Sequence, residues 1–226
     1  MVGGVTITCS GATSTTDTLY PVNPPNDRAY SGPIATPIII NIDPGATVSG
    51  NGLALDNTSN GGVTVNNSGT ISVDAGNTPT EKGTAALSLT TAGGPVIYTG
   101  GSIVNNGNGN AFDVNQTGAG TTTITISGPV TAANGEGITV RDTAAGGTIS
   151  VTTGAVTALT AGKDGIDVQA QSLTGNVTVV ANGAVKAGNA GIVAAILNAG
   201  SSGNIDVTAN STIDARFGVD AENFGS

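Results

Sequence analysis

The sequence predicts an all-β, right-handed, single-stranded parallel β-helix of about seven three-strand rungs behind an N-terminal cap. Three observations predict it. The composition favours strands and tight turns, steps of the form apolar-x-apolar recur along the chain, and each step is followed by two further apolar strands in a fixed order.

Charged residues make up 9% of the 226 residues and aromatics 3%, with no Trp and no His, against 36 Gly. Gly, Thr, Ser, Asn, Ala, Val and Ile dominate, a mixture suited to strands and corners. A Gly-rich chain can also be disordered, but regularly spaced Val and Ile argue against that here.

The first strand of each unit is read at Ile40-Asn41-Ile42, Val63-Thr64-Val65, Val96-Ile97-Tyr98, Ile124-Thr125-Ile126, Ile149-Ser150-Val151, Val177-Thr178-Val179 and Ile205-Asp206-Val207. The starts at 124, 149, 177 and 205 are spaced by 25, 28 and 28 residues, and the longer step after Val63 holds an insertion at Asn77–Lys82. A second apolar position follows at Val48, Ile71, Ile103, Val130, Val156, Val185 and Ile213. The third strand opens with Gly at Gly52-Leu53, Gly137-Ile138, Gly165-Ile166, Gly191-Ile192 and Gly218-Val219; the other copies read Gly83-Thr84-Ala85 and Asn110-Ala111-Phe112.

One unit cannot bury its inward Val and Ile alone. Stacking units in register about 4.8 Å apart places like over like and closes a continuous core. Gly before the third strand permits a positive φ or a tight bend, and Asn66, Asn134 and Asn189 suit similar corners. No segment keeps a helical apolar face for three turns. A β-sandwich also has short, evenly spaced strands, but the likeness of successive units and their grouping in threes favour the solenoid.

Two regions are expected, residues 1–36 as cap and Pro-rich loop and 37–226 as β-helix. The first holds Val5-Thr6-Ile7 and then Pro21, Pro24, Pro25 and Pro33, residues that blunt an open edge because Pro donates nothing to a ladder. The last unit runs into Asn223-Phe224-Gly225-Ser226, which reads as a cut through a longer array with an edge left exposed or covered by another copy. Met1–Gly4 has neither the basic nor the apolar part of a signal peptide. Cys9 is the one cysteine, so no internal disulfide forms, and a small residue packed in a cap is the simplest role for it.

Units such as Gly61-Gly62-Val63-Thr64-Val65-Asn66-Asn67-Ser68-Gly69-Thr70-Ile71 and Asn204-Ile205-Asp206-Val207-Thr208-Ala209-Asn210-Ser211-Thr212-Ile213 resemble the passenger domains of bacterial autotransporters, the type V secretion proteins. The resemblance covers roughly residues 37–222, and Val5–Gly11 looks like the start of a mature passenger. Two-partner-secretion adhesins and other β-solenoids share these motifs. The resemblance implies export through the outer membrane by a C-terminal β-barrel and display on the surface of a Gram-negative cell, often as an adhesin. Nothing in the chain corresponds to an added protease or lipase domain.

The function expected is therefore a rigid adhesin or stalk, with a polysaccharide lyase or hydrolase fragment as the alternative. Partners expected are a host surface, a glycan or another copy; a net charge of -9 disfavours nucleic acid, and the apolar run Gly191–Leu197 is too short to cross a bilayer. No catalytic residue, metal ligand or cofactor site is assigned. Absence of His removes His-based triads and most zinc sites. Asp113, Asp167 and Asp220 alternate with Thr139 and Val193 on the outward face of the third strands, which separates these acids by about 9.6 Å or more, too far for a glycosidase pair. Asp164 and Asp167 lie closer, with Lys163 and Arg141 at hand, and read as a solvated corner with surface ion pairs. Calcium could use both acids but needs six or more oxygens. An outward first-strand row of Asn41, Thr64, Ile97, Thr125, Ser150, Thr178 and Asp206 is too interrupted to template ordered water. The segments Pro79–Gly83 and Asn105–Asn110 are the candidate contact loops.

Overall fold

The computed structural model describes residues 5–14, 30–32, 37–50, 52–57, 60–75, 85–144 and 146–225. The chain forms a right-handed β-solenoid in which successive levels stack. The levels comprise β1 (Val5–Cys9), β2 (Ala12–Ser14) and β3 (Tyr30–Gly32); β4 (Ile38–Ile42), β5 (Thr47–Ser49) and β6 (Leu53–Asn57); β7 (Val63–Val73) and β8 (Ala85–Thr91); β9 (Val96–Asn105) and β10 (Asn110–Gln116). They continue with β11 (Thr122–Ile126), β12 (Val130–Ala132) and β13 (Ile138–Asp142); β14 (Ile149–Thr153), β15 (Val156–Ala158) and β16 (Ile166–Ala170); β17 (Val177–Ala181), β18 (Val185–Ala187) and β19 (Ala190–Ile196); and β20 (Ile205–Ala209), β21 (Ile213–Asp214) and β22 (Phe217–Asn223). There is no helix among the described residues.

Every strand pairing among these residues is parallel, which excludes the sandwich. Three columns result. The first two share a 14-stranded sheet, because β7 and β9 each run through both, and the third is an 8-stranded sheet. The N-terminal segment expected to cap the stack supplies strands to all three columns. Val5–Cys9 pairs with Ile38–Ile42, Ala12–Ser14 with Thr47–Ser49, and Tyr30–Gly32 with Leu55–Asn57. Pro21, Pro24, Pro25 and Pro33 of that segment lie outside the described residues, as does the insertion at Asn77–Lys82.

Strand alternation turns one row of each column inward. The second column stacks Val48, Ile71, Ile103, Val130, Val156, Val185 and Ile213, as the spacing predicts. Five of the expected first-column starts also hold, but two are corrected by one pleat. The column runs Ile38, Val63, Val96, Thr122, Ile149, Val177, Ile205. Ile40 and Ile124 belong to the next inward row, with Val65, Tyr98, Val151 and Val179. The reason is local. Ile38-Ile39-Ile40 is apolar throughout, so alternation does not mark its start. In β11 the first inward residue is Thr122, buried because its hydroxyl donates to Gln116 Oε1 at 2.7 Å. In the third column Leu87, rather than Ala85, stacks between Leu53 and Phe112, with Ala86 and Ala111 in the place that Gly takes elsewhere.

Fully burying each Val or Ile of these rows contributes about 1.5–3 kcal/mol. The large aromatics are accommodated together. Tyr98 and Phe112 pack at 5.1 Å between ring centres, and the Tyr98 hydroxyl accepts from Asn67 Nδ2 at 2.8 Å. Burial raises the Tyr98 pKa, opposed in part by that bond. Cys9 is buried, stacked on Ile42, and burial, then the charge of Asp43, push its thiol up. At the other end, Ile205, Val207 and Ile213 are only partly covered and β22 is exposed throughout, including Phe217 and Val219.

The Gly positions before the third strand have a sharper cause than expected. Gly52 does take a positive φ of 91°, but Gly137, Gly165, Gly191 and Gly218 are not among the glycines with positive φ. What they need is proximity: a Cβ on Gly165 would sit 2.6 Å from the Gly191 oxygen and 2.6 Å from Val185 Cγ1, whereas nothing lies within 4 Å of one on Gly218. Gly165→Ala is therefore expected to destabilise by about 1–3 kcal/mol through overpacking. Gly218→Ala, in the same column, is expected to stay within about 0.5 kcal/mol of the parent. Urea midpoints of the two variants check this; equal losses would remove the stacking explanation.

Candidate functional site

The densest polar arrangement lies along the outer face of the third column and the corner that leads into it. Parallel register places Asp113, Thr139, Asp167, Val193 and Asp220 above one another. Here the sequence reading holds: these acids occupy alternate levels. The corner residues stack too. Ala111 N donates to Glu136 O, Gly137 N to Asp164 O and Gly165 N to Ala190 O, which sets Asn110, Glu136, Asp164 and Ala190 at equivalent positions on adjacent levels.

Glu136 is the residue that the sequence reading missed. It directly precedes Gly137 as Asp164 precedes Gly165, so the aligned glycines already carried the signal. The structure brings Glu136, Asp164 and Asp167 together, with one carboxylate oxygen of each within 4.8 Å of the others.

A hydrogen-bond network fixes this corner. Asn110 Nδ2 donates to Asp113 Oδ1 at 2.8 Å and to Thr139 Oγ1 at 3.2 Å, and Asn110 Oδ1 accepts from Glu136 N at 2.8 Å. Thr139 Oγ1 donates to Glu136 Oε2 at 2.9 Å. Asn189 Nδ2 and Ala190 N donate to Asp164 Oδ1 at 2.8 and 2.9 Å. Arg141 Nη2 meets Asp167 Oδ2 at 2.6 Å, the Asp167 side chain being 6% exposed. The expected solvated ion pair is thus a half-buried one. Burial works against the Arg141 charge, but the bond and charge of Asp167, with Glu136 and Asp113 beyond, hold its pKa above the ordinary value. Burial raises the Asp113 carboxyl, opposed by its bond from Asn110. Arg141 Nη1 and Asp167 Oδ1 are buried without a hydrogen-bond partner.

Chemically, the corner is a patch of converging oxygens. One oxygen from each of its three carboxylates takes part. The outward first-column row is corrected to Ile39, Thr64, Ile97, Thr123, Ser150, Thr178 and Asp206, since Asn41 pairs with Asn66 and Thr125 with Thr152. Ile39, Ile97 and Asp206 interrupt its hydroxyls. The candidate contact loop Asn105–Asn110 is a fixed turn: Asn105 Nδ2 donates to Asn108 O and Asn110 O, Asn105 Oδ1 accepts from Gly107 N, and Asn134 Nδ2 donates to Gly107 O from the next level. The other loop, Pro79–Gly83, lies outside the described residues.

At the far end of the third column a second polar row turns inward: Asn57, Thr91, Gln116 and Asp142 stack in register. Asn57 and Gln116 each donate an amide hydrogen to a glycine carbonyl, Gly62 O at 2.9 Å and Gly94 O at 3.0 Å. Asp142 has no such hydrogen to give. Its Oδ1 accepts from Ala144 N at 2.9 Å, and its Oδ2 is buried without a partner. Burial pushes its pKa up to about 6, the Ala144 bond opposing.

Because the folded pKa of Asp142 lies above the unfolded value of about 3.9, the folded state binds the proton more tightly. The resulting stability is full below about pH 4 and is lost as pH rises through about 6. Asp142→Asn supplies a donor and has no charge to bury. The variant is expected to be the more stable protein at pH 7 by about 1 kcal/mol, with the difference shrinking as pH falls to 4. Paired urea titrations at pH 4, 5, 6 and 7 test this; a difference independent of pH would remove the assignment.

Compared with known proteins, the chain matches no protein family, no curated protein and no solved structure.

Proposed function

We propose that the chain is a stiff display rod, part of a passenger of the bacterial autotransporter type, held at the surface of a Gram-negative cell after export through the outer membrane. The observation that carries this reading is the unbroken parallel pairing of all three columns from β1 to β22. A parallel stack of this kind resists bending because every level is hydrogen-bonded to the next along three strands. At about 4.8 Å per step, the seven steps between the eight described levels extend about 34 Å. The columns stay paired while the connections between their strands vary in length, which is the usual division between scaffold and contact surface.

A host surface, a glycan or a second copy of the chain is the class of partner that fits. The acidic surface, with a net charge of -9, repels phosphate backbones. No helix among the described residues is long and apolar enough to cross a membrane. The second reading, a fragment that cleaves acidic polysaccharide, draws on the carboxylates at Glu136, Asp164 and Asp167. Against it stands the engagement of Asp167 by Arg141.

Two assays on the purified chain separate the readings. Saturable binding to a glycan array or to host cells, with no release of reducing ends or unsaturated products from acidic polysaccharides, is the expected result. Product release that disappears in Glu136→Gln would overturn the scaffold reading in favour of the enzyme.

A further inference from the structure

We propose that the corner after β13 is an acid-closed latch, in which a protonated Asp142 gives its Oδ2 hydrogen to the Gly120 carbonyl and loss of that proton frees the turn that follows. One station of the stack calls for a hydrogen-bond donor. Asn57, Gln116, Asp142 and Asn223 occupy it on different levels. Each of the three amides gives an N–H to a glycine carbonyl at the corner beyond the third column: Asn57 to Gly62 O at 2.9 Å, Gln116 to Gly94 O at 3.0 Å and Asn223 to Gly203 O at 2.9 Å.

The same arrangement recurs at Asp142 with one atom changed. A Cβ added to Gly120 would lie 2.1 Å from Gln116 Nε2 and 2.0 Å from Gly94 O. One level on, a Cβ added to Gly147 would lie 1.9 Å from Asp142 Oδ2 and 2.6 Å from Gly120 O. Asp142 Oδ2 thus stands in the place of Gln116 Nε2, beside the equivalent carbonyl. Gln116 puts a donor there. A carboxylate sets two oxygens toward the same small space with no hydrogen between them, and Oδ2 is buried with no other partner. A carboxylic acid carries the hydrogen that this place requires.

Among the described residues, no charged group faces this carboxyl. Gln116 stacks on one side of Asp142 and Ala170 on the other. The connections on the two levels bring Ala144, Gly147 and Gly120, none of them titratable. Arg141 precedes Asp142 in β13 but pairs with Asp167 on the outer face. Burial therefore decides, and it raises the carboxyl pKa to about 6 against an unfolded value of about 3.9.

Release is local because of what the turn hangs from. Ala144 N donates to Asp142 Oδ1 at 2.9 Å and Thr143 N to Gln116 O at 2.9 Å, while Gly147 packs against Oδ2. Hydrating the carboxylate moves this turn aside and leaves β13 paired with β10 and β16. In the open turn Asp142 meets water and regains its ordinary pKa. The ratio of open to closed turns then rises about tenfold between pH 5 and 7 and levels off above, where both forms are ionised. The latch does not depend on the display reading.

Amide hydrogen exchange followed by NMR tests it. Protection factors at Thr143 and Ala144, corrected for the intrinsic effect of pH, are expected to fall about tenfold between pH 5 and 7. They are also expected to be unchanged by low concentrations of urea, the mark of a local opening, whereas protection in β17 falls with urea. Asp142→Asn, which carries a donor at every pH, is expected to keep its protection at both pH values. Asp113→Asn removes the other carboxyl raised by burial, on the outer face, and is expected to respond to pH like the parent. Protection at Thr143 and Ala144 that ignores pH in the parent, or that follows urea as steeply as β17 does, would overturn the latch.

Discussion

A parallel stack obliges every inward side chain to fit between its own counterparts one level above and one level below. That constraint governs the rest of this structure. It explains why Val and Ile recur at fixed stations, why Tyr98 and Phe112, the two buried aromatics among the described residues, meet each other at one level, and why the hydroxyl of Tyr98 requires Asn67 beneath it. It also explains the glycines ahead of the third strand. Their role is to let one level approach the next, and the requirement vanishes at Gly218, where an added Cβ would meet nothing within 4 Å.

The same rule acts on polar residues, with opposite results at the two ends of the third column. Inside, amides can stack because each carries both a donor and an acceptor; Asn57 and Gln116 use their donors on glycine carbonyls. Asp142 breaks that pattern and keeps an oxygen without a donor. Outside, stacking sets Glu136 directly against Asp164, so that like charges gather at one corner. Arg141 is the local response to that crowding.

The fold was legible because burial in a solenoid is written as a repeat. The second column could be read without error, since each of the seven positions read in it is Val or Ile and all but Ile103, which precedes Val104, have polar or small neighbours. The first column was harder where the alternation failed. A run of three Ile residues hides its own start, and Thr122 is an inward residue that its hydrogen bond to Gln116 alone makes compatible with burial. The corner acids were legible only in part. Asp164 and Asp167 are neighbours in the chain and stand out in the sequence, whereas Glu136 joins them only through the register of two levels. The orphaned oxygen of Asp167 is a matter of side-chain packing and leaves no trace in residue order.

The long path between β7 and β8 has a consequence for how such a chain can change. Despite that path, Leu53 still faces Leu87 and Val63 still faces Val96. Added residues in a connection thus leave the register on either side of it unchanged. One residue added within a strand, by contrast, exchanges the inner and outer sets of the positions after it unless a bulge absorbs it, as between Asn67 and Thr70 of β7. Insertions and deletions should accordingly accumulate at the bends and be purged from the strands. Lineages of such a protein would then diverge in outline long before they diverged in cross-section.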